Sequence, residues 1–290
     1  MVEPSTVTGK MAILSAVILL MLPAVSVASL FTLTNTISLA GVDIANIASD
    51  GTHLLVLGNV HQNDPIGIYT PSGQLLQTYQ TGLGLSALAW TDSNLVALQG
   101  VSNDLVYRIS LPSGPNSGPF GVGPFVAPNG LGFDGSDLLF ADTAFGTAGV
   151  LTVTLHEVDP ANFATLGSQS VVINTGTTIT GTPVYDVAVH NGDLFLGLGG
   201  VNNVYEFSSG NLVQTIPVPT SSGPGGIAFV GNDMFVADRP NSNIYELSPA
   251  IPEPGTYGLA LLGGLAFVVL HAIKGKATYP DCKAKRSASS

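Results

Sequence analysis

Polar side chains stand at the start of a repeated apolar strand, and two of them are carboxylates. Asp186 lies at this level of the fourth copy, and Asp43 lies just upstream of the first. A pair of carboxylates, one an acid and the other a nucleophile or base, is the machinery of glycoside hydrolysis. The alternative is that Asp and Asn at the starts of strands cap local turns. Because the sequence does not decide between these interpretations, no catalytic residue is assigned. The set expected to face a ligand is Asp43, Asn46, Ser86, Asn129, Tyr185 and Asp186.

Oxygen-rich turns raise the question of a metal cofactor. Asp134 and Asp137 flank a Gly-Ser pair, and Asn232 precedes Asp233. Such clusters can hold calcium weakly. The same residue types supply the positive φ of tight hairpins, as in Asp134-Gly135 and Asn191-Gly192. The sequence therefore predicts no cofactor and no metal site, with calcium in these turns as the alternative.

A repeat positions these side chains. Five segments, each a short apolar strand, a Gly/Asp/Asn turn and a second apolar strand, align without a gap, and the second strands begin at residues 54, 95, 138, 194 and 234. The intervals of 41, 43, 56 and 40 residues suit propeller blades of four antiparallel strands. The longest interval is expected to carry an insertion around Gly146 to Thr182.

The last copy lacks its fourth strand. It reaches its third strand, up to Leu247, before Pro249, whereas Leu30 to Leu39 reads as a strand standing ahead of the first copy. Open sheet edges promote unwanted pairing, so closing the ring with this strand protects both partners. We therefore predict an all-β fold, a five-bladed β-propeller whose N-terminal strand closes the last blade, plus an N-terminal signal helix and a C-terminal transmembrane helix.

Aromatic residues recur on the strands. Their repeated placement is typical of packing between blades rather than of a ligand platform. They are Tyr69, Trp90, Tyr107, Tyr205 and Tyr245.

The charge of the body restricts its partners. Residues 29–254 hold 17 acidic side chains and only Arg108 and Arg239 as basic ones, a formal charge of −15. Such a surface repels nucleic acid, so no nucleic-acid partner is expected, while cations and neutral glycans remain open. Cys282 is the only cysteine, which excludes an intramolecular disulfide.

Both ends of the chain carry apolar runs. Lys10 precedes the run 11–22, Pro23 ends it, and residues 26–28 are small, as in a cleavable signal peptide. Near the other end, the 17 residues from Tyr257 to Ile273 contain no acidic residue, lysine or arginine, and are long enough for a membrane-spanning helix. The lysines that follow supply the positive flank of a cytoplasmic side.

The C-terminal segment resembles a known sorting signal. Pro252, Glu253 and Pro254, then an apolar helix, then Lys274 and Lys276, stand in the order of the PEP-CTERM signal of Gram-negative bacteria. The resemblance implies processing by exosortase, a membrane-embedded cysteine transpeptidase-like enzyme. It also implies an exported protein, anchored in the inner membrane as a precursor and then delivered to the cell envelope or extracellular matrix. An ordinary C-terminal membrane anchor is the alternative.

These features divide the chain into four segments. They are a signal peptide (1–28), the propeller (29–250), the sorting signal (251–276, with its transmembrane helix at 257–273) and a cytoplasmic-side tail (277–290).

Two of the repeat copies carry a second resemblance. Pro128 to Asp142 and Pro224 to Tyr245 are similar to NHL-type repeats, and the other copies are degenerate. NHL-like propellers chiefly bind proteins or other ligands on one ring face, and a minority are lyases or hydrolases. The resemblance implies a non-catalytic binding or adhesion module, with exopolysaccharide or surface proteins as partners. A secreted carbohydrate-active or lyase-type enzyme is the alternative, which two or more carboxylates converging in a deep axial pocket would favour.

Overall fold

A computed structural model describes residues 31–250 except 59–63, 93, 100–104, 112–113, 124–129, 146–148 and 177–183. The predicted signal peptide, sorting signal, transmembrane helix and tail lie outside these residues. By its contacts the chain divides into Met1–Pro249 and Ala250–Ser290. Within the described ranges, no helix has the length and apolar character needed to cross a membrane.

Twenty strands form five antiparallel four-stranded sheets, as the repeat predicts. Blade 1 contains β2 (Ile44–Ser49), β3 (Leu54–Gly58), β4 (Pro65–Tyr69) and β5 (Leu75–Gln80); blade 2 contains β6 (Leu85–Trp90), β7 (Leu95–Gln99), β8 (Leu105–Ser110) and β9 (Gly114–Gly121); blade 3 contains β10 (Gly130–Phe133), β11 (Leu138–Phe145), β12 (Val150–Val158) and β13 (Thr165–Asn174). Blade 4 contains β14 (Val184–His190), β15 (Asp193–Leu198), β16 (Asn203–Ser208) and β17 (Asn211–Pro217); blade 5 contains β18 (Gly226–Val230), β19 (Asp233–Asp238), β20 (Asn243–Pro249) and β1 (Phe31–Ser38). A short 3₁₀ helix spans Arg239–Asn241.

The ring closes through the first strand, as predicted. β1 pairs antiparallel with β20, with Ile37 opposite Ile244 and Phe31 opposite Pro249. The outer strand of blade 5 therefore comes from the start of the body, and its inner three strands come from the end. This exchange ties the two ends of the propeller together in one sheet.

The core consists of five apolar clusters, each joining two neighbouring blades. In the cluster that joins blades 5 and 1, Phe235 and Ile37 pack with Ile47. Equivalent clusters join the other four pairs of neighbours around the ring. The predicted role of the repeated tyrosines is confirmed, since Tyr69, Tyr107, Tyr205 and Tyr245 are all buried.

Hairpin turns use the residues that the sequence singles out. Asn191 and Gly192 both have positive φ, of 53° and 85°. In the turn of blade 3, one carboxylate oxygen of Asp134 accepts the backbone N–H groups of Ser136 and Asp137 at 2.8 and 2.7 Å. The turn residues therefore have a structural function in shaping the hairpins.

Blade 3 differs from its prediction. The stretch expected to hold an insertion around Gly146 to Thr182 contains β12 and β13, the regular third and fourth strands of this blade. These strands have 9 and 10 residues, whereas their counterparts in blade 4 have 6 and 7. Much of the extra length is thus a longer outer hairpin of the same sheet.

Close approach between the inner strands of blades 5 and 1 gives a testable prediction. A Cβ atom on Gly226 would stand 2.6 Å from the backbone nitrogen of Ile47. Because backbone atoms cannot move aside cheaply, we expect Gly226→Ala to lower the free energy of unfolding by about 1–3 kcal/mol. Denaturant unfolding followed by circular dichroism measures this change.

Gly121 provides the matched control. Its added Cβ would meet no atom within 4 Å, and its φ is not positive. Gly121→Ala should change stability by no more than about 0.5 kcal/mol. Equal unfolding midpoints for the two variants would contradict the proposed contact.

Candidate functional site

One position before the buried apolar residue of the inner strand, two of the five blades carry a buried polar side chain. The five equivalent residues are Asn46, Ala87, Gly130, Asp186 and Gly226. Asn46 is 0% exposed and Asp186 is 1% exposed. The inner strands surround the axis of a propeller, so two polar groups lie among three small residues next to this axis.

Each polar side chain binds the backbone of the next blade. Oδ1 of Asn46 accepts the N–H of Leu88 at 3.0 Å, and Oδ2 of Asp186 accepts the N–H of Ile227 at 2.5 Å. The acceptors join blade 1 to blade 2 and blade 4 to blade 5 at equivalent positions. These side chains therefore satisfy N–H groups at the inner edges of the sheets, which have no further strand to pair with.

Irregular pairing precedes both side chains. The register of β2 with β3 shifts between Ile44 and Asn46, and that of β14 with β15 shifts between Val184 and Asp186. An extra residue in one strand bends it and redirects the next side chain. The bulges at positions 45 and 185 therefore help to aim Asn46 and Asp186.

The carboxyl group of Asp186 is electrostatically unusual. Burial raises its pKa well above the ordinary value of 3.8, although the Ile227 N–H and the Asn46 side chain favour the charged form. Oδ1 of Asp186 and Nδ2 of Asn46 are both buried and have no hydrogen-bond partner in geometry. The Asn46 amide therefore favours the charged form of the Asp186 carboxyl group, although the two side chains do not form a hydrogen bond.

The residues predicted to face a ligand fall into different environments. Asp43 is exposed, and Ser86 is half-buried with its hydroxyl donating to the Leu98 carbonyl at 3.3 Å. Asn129 and the side chain of Tyr185 lie outside the described residues. Asn46 and Asp186 lie at equivalent positions of the inner strands β2 and β14, and both are buried. The two carboxylates suggested as a catalytic pair therefore lie in different environments, since Asp43 is exposed to solvent and Asp186 is buried.

A concave surface lies at the C-terminal ends of the inner strands, opposite to the ends near Asn46 and Asp186. We call it the end-face bowl. It has a volume of about 390 Å³ and receives residues from all five blades. Its lining includes the small residues Ala89, Gly132, Ala188 and Ala228, and the half-buried aromatic residues Trp90, Phe133 and Phe229. Ligand sites in proteins commonly have volumes of about 300–1,000 Å³.

The sequence contains a repeated pattern at the positions that line this bowl, but the pattern alone does not show that these residues face a cavity. The residue after each buried apolar residue of the inner strands is Ala or Gly in all five blades, and the next is aromatic in three of them. Trp90 was predicted to pack between blades, and it does pack against the cluster that joins blades 1 and 2. It is half-buried and also lines the bowl, which the sequence did not indicate.

The polar groups of the bowl are mainly acceptors. Asp92 is exposed on its wall, and Asp50 accepts the N–H groups of Thr52 and His53 at 2.8 and 2.6 Å. Burial raises the pKa of Asp50, but these hydrogen bonds and the His53 side chain outweigh it, so the net pKa is lowered. Asp50 is therefore ionised at neutral pH.

His190 contributes a neutral ring to the same bowl. Its imidazole stacks on Phe229 with the ring centroids 4.3 Å apart and the planes at 4°. Burial lowers the pKa of His190, against hydrogen bonding to Asn232 and the charge of Asp193. At neutral pH the ring carries no charge, so the lining residues include no cationic side chain.

Arg108, which lies beside the bowl, makes contacts between two blades. Its guanidinium donates to the carbonyls of Pro160 and Ala161 and lies over the Phe163 ring, 4.7 Å from its centroid. It lines a separate hollow, which it shares with Asp92. This arginine ties blade 2 to the outer hairpin of blade 3.

No group of three or more His, Cys, Asp or Glu side chains that could hold a metal ion occurs in the described part of the chain.

No family model matches the chain, and no curated protein matches its sequence. Solved structures do share its fold. Glutaminyl cyclase from Myxococcus xanthus is 16% identical with a TM-score of 0.57, and the match covers 77% of this chain and 98% of that one. The calcium-binding protein regucalcin from Agrobacterium tumefaciens is 16% identical with a TM-score of 0.49, covering 77% and 96%. At 16% identity, the likeness to glutaminyl cyclase supports the propeller fold alone.

Proposed function

We propose that this chain is an exported, non-catalytic binding module, delivered to the cell envelope or extracellular matrix after exosortase processing. The observation that carries the binding role is the end-face bowl, an open concavity formed by all five blades. The enzyme alternative calls for two carboxylates in an axial pocket. Among the described residues at the inner-strand level, Asp186 is the one carboxylate, and it is sealed beside an amide.

Export is supported by the sequence at both ends. The apolar run 11–22 of the predicted signal peptide (1–28) suits secretion. The order of Pro252, Glu253 and Pro254, then an apolar run, then lysines suits later release from the membrane. The acidic surface of the body, with a formal charge of −15 over residues 29–254, suits a soluble domain outside the cell. Partners of the displayed ring would be matrix polymers or surface proteins.

Fractionation of cells with and without exosortase tests this function. In cells that contain the enzyme, we expect the mature protein in the envelope or matrix fraction, without its Tyr257 to Ser290 segment by mass spectrometry of the C terminus. In cells that lack it, the full-length precursor should remain in the inner membrane. Replacing Pro252, Glu253 and Pro254 by alanine should have the same effect as removing the enzyme. An intact C terminus in normal cells would contradict the proposal.

A further inference from the structure

We infer that the end-face bowl binds an organic cation, an ammonium or guanidinium group carried on an aliphatic chain. This deepens the proposed binding role and rests on it for the physiological setting. The first step is the chemistry of the lining. Trp90 and Phe133 offer aromatic rings, while the Phe229 ring is stacked on His190, and Asp50 and Asp92 offer carboxylates. Cations are attracted both to the faces of aromatic rings and to carboxylates.

The second step is the charge around the bowl. Its lining residues include no lysine or arginine, and His190 is neutral at neutral pH because burial lowers its pKa. The body as a whole carries a formal charge of −15 over residues 29–254. A concave site in a field of one sign concentrates ligands of the opposite sign. Anionic ligands are therefore disfavoured, and cations are drawn in.

The third step is shape. Ala89, Gly132, Ala188 and Ala228 contribute little side-chain bulk to the lining, and the cavity of about 390 Å³ accommodates an aliphatic chain together with its charged head. A neutral sugar would need donors as well as acceptors for its hydroxyl groups. The lining side chains provide few donors, namely the Ser49 hydroxyl, the Trp90 indole N–H and the His190 ring. The balance of groups favours a cation over a sugar.

Trp90 allows a direct test because it is the only tryptophan of the chain. Its fluorescence reports on the bowl without a label. The full-length protein in neutral detergent is titrated with cadaverine, with an uncharged peptide that carries one lysine and with arginine amide, and in parallel with glucose and cellobiose. We expect a saturable change of Trp90 emission with the cations and none with the sugars. Raising the salt from about 20 to about 200 mM should weaken the cation response about fivefold.

Two variants sharpen the assignment. Asp92→Asn removes one charge from the wall of the bowl and should weaken cation binding about fivefold. Glu157→Gln removes the same charge from a half-buried residue on β12, outside the lining of the bowl, and should leave binding unchanged. Phe133→Leu keeps an apolar wall without the ring and should also weaken the cations.

The outcomes separate the alternatives. A response to the peptide and not to cadaverine identifies a protein side chain as the source of the cation, and the reverse identifies a free polyamine; both support the inference. A saturable, salt-independent response to the sugars with none to the cations overturns it, and so does the absence of any response. Export and processing are read from cell fractions, so failure of this titration is distinguishable from failure of the proposed function.

Discussion

Deleting residues 1–38, which removes β1, is expected to leave the propeller unable to fold as a closed ring. Blade 5 would keep three strands, and β20 would expose an unpaired edge. The cluster between blades 5 and 1 would also lose Ile37, which packs over Gly73 of blade 1. Loss of this side chain alone is worth about 2–5 kcal/mol, a large part of the roughly 5–15 kcal/mol that stabilises a domain. Circular dichroism and gel filtration should show loss of cooperative unfolding and aggregation.

Deletion of residues 1–28 is the matched control, because it removes the predicted signal peptide and keeps β1. That shorter protein should fold and unfold in one transition. At the level of single residues, Ile37→Ala should destabilise the propeller and Leu33→Ala should not, since Ile37 is 6% exposed and Leu33 is 51% exposed on the same strand. A folded protein lacking residues 1–38, with the unfolding midpoint of the control, would contradict closure by β1.

The ring could be predicted because its determinants are local and repeated. Each copy brings apolar strands and a turn with positive φ, and the turn at Asn191-Gly192 has the expected geometry. The number of strands then settled the closure: the last copy lacked one strand, and one was left over ahead of Ile44. Blade 3 was harder, because β12 and β13 lack the repeated turn and Tyr signature of the other blades.

The candidate site could be predicted only in part, because it depends on pairing register. Asn46 and Asp186 were recognised as related residues, but their burial follows from bulges in β2 and β14 that appear only when the strands pair. The end-face bowl depends on where the inner strands end relative to one another. Trp90 resembles the packing tyrosines in sequence and packs against the core as they do, but its second role in lining the bowl appears only in the structure.

The buried acid at the axis links stability to pH. Burial raises the pKa of Asp186 well above the ordinary value of 3.8, so the folded state holds this proton more tightly than the unfolded state. The stabilising contribution of the protonated group is fully present below the unfolded value and is lost as the pH rises through the folded one. At higher pH, ionisation of Asp186 places a charge inside the core, and the Ile227 N–H and the Asn46 side chain offset only part of the cost of burying it. Ionisation of Asp186 should therefore lower the free energy of unfolding at pH values above those at which most surface carboxylates ionise.

Asp186→Asn is expected to remove this dependence. The amide oxygen can still accept the N–H of Ile227, and the side chain no longer titrates. Relative to the variant, the wild type should lose at least about 1 kcal/mol of unfolding free energy between about pH 4 and about pH 8. Urea unfolding at a series of pH values measures the difference, and a constant offset from exchanging an oxygen for an NH₂ group does not affect its slope. Asp186→Ala, which leaves the Ile227 N–H unpaired, should instead cost about 1–3 kcal/mol at acid pH.

Asp43→Asn controls for the change in net charge, because it removes one carboxylate from an exposed position. If the wild type and Asp186→Asn show parallel stability profiles while Asp186→Ala is destabilised, the side chain acts only as an acceptor for Ile227, and its titration is not coupled to folding. If the profiles diverge with rising pH and the Asp43→Asn profile follows the wild type, the coupling belongs to the axial position. In that case Asp186 favours folding in its neutral form and opposes it when ionised.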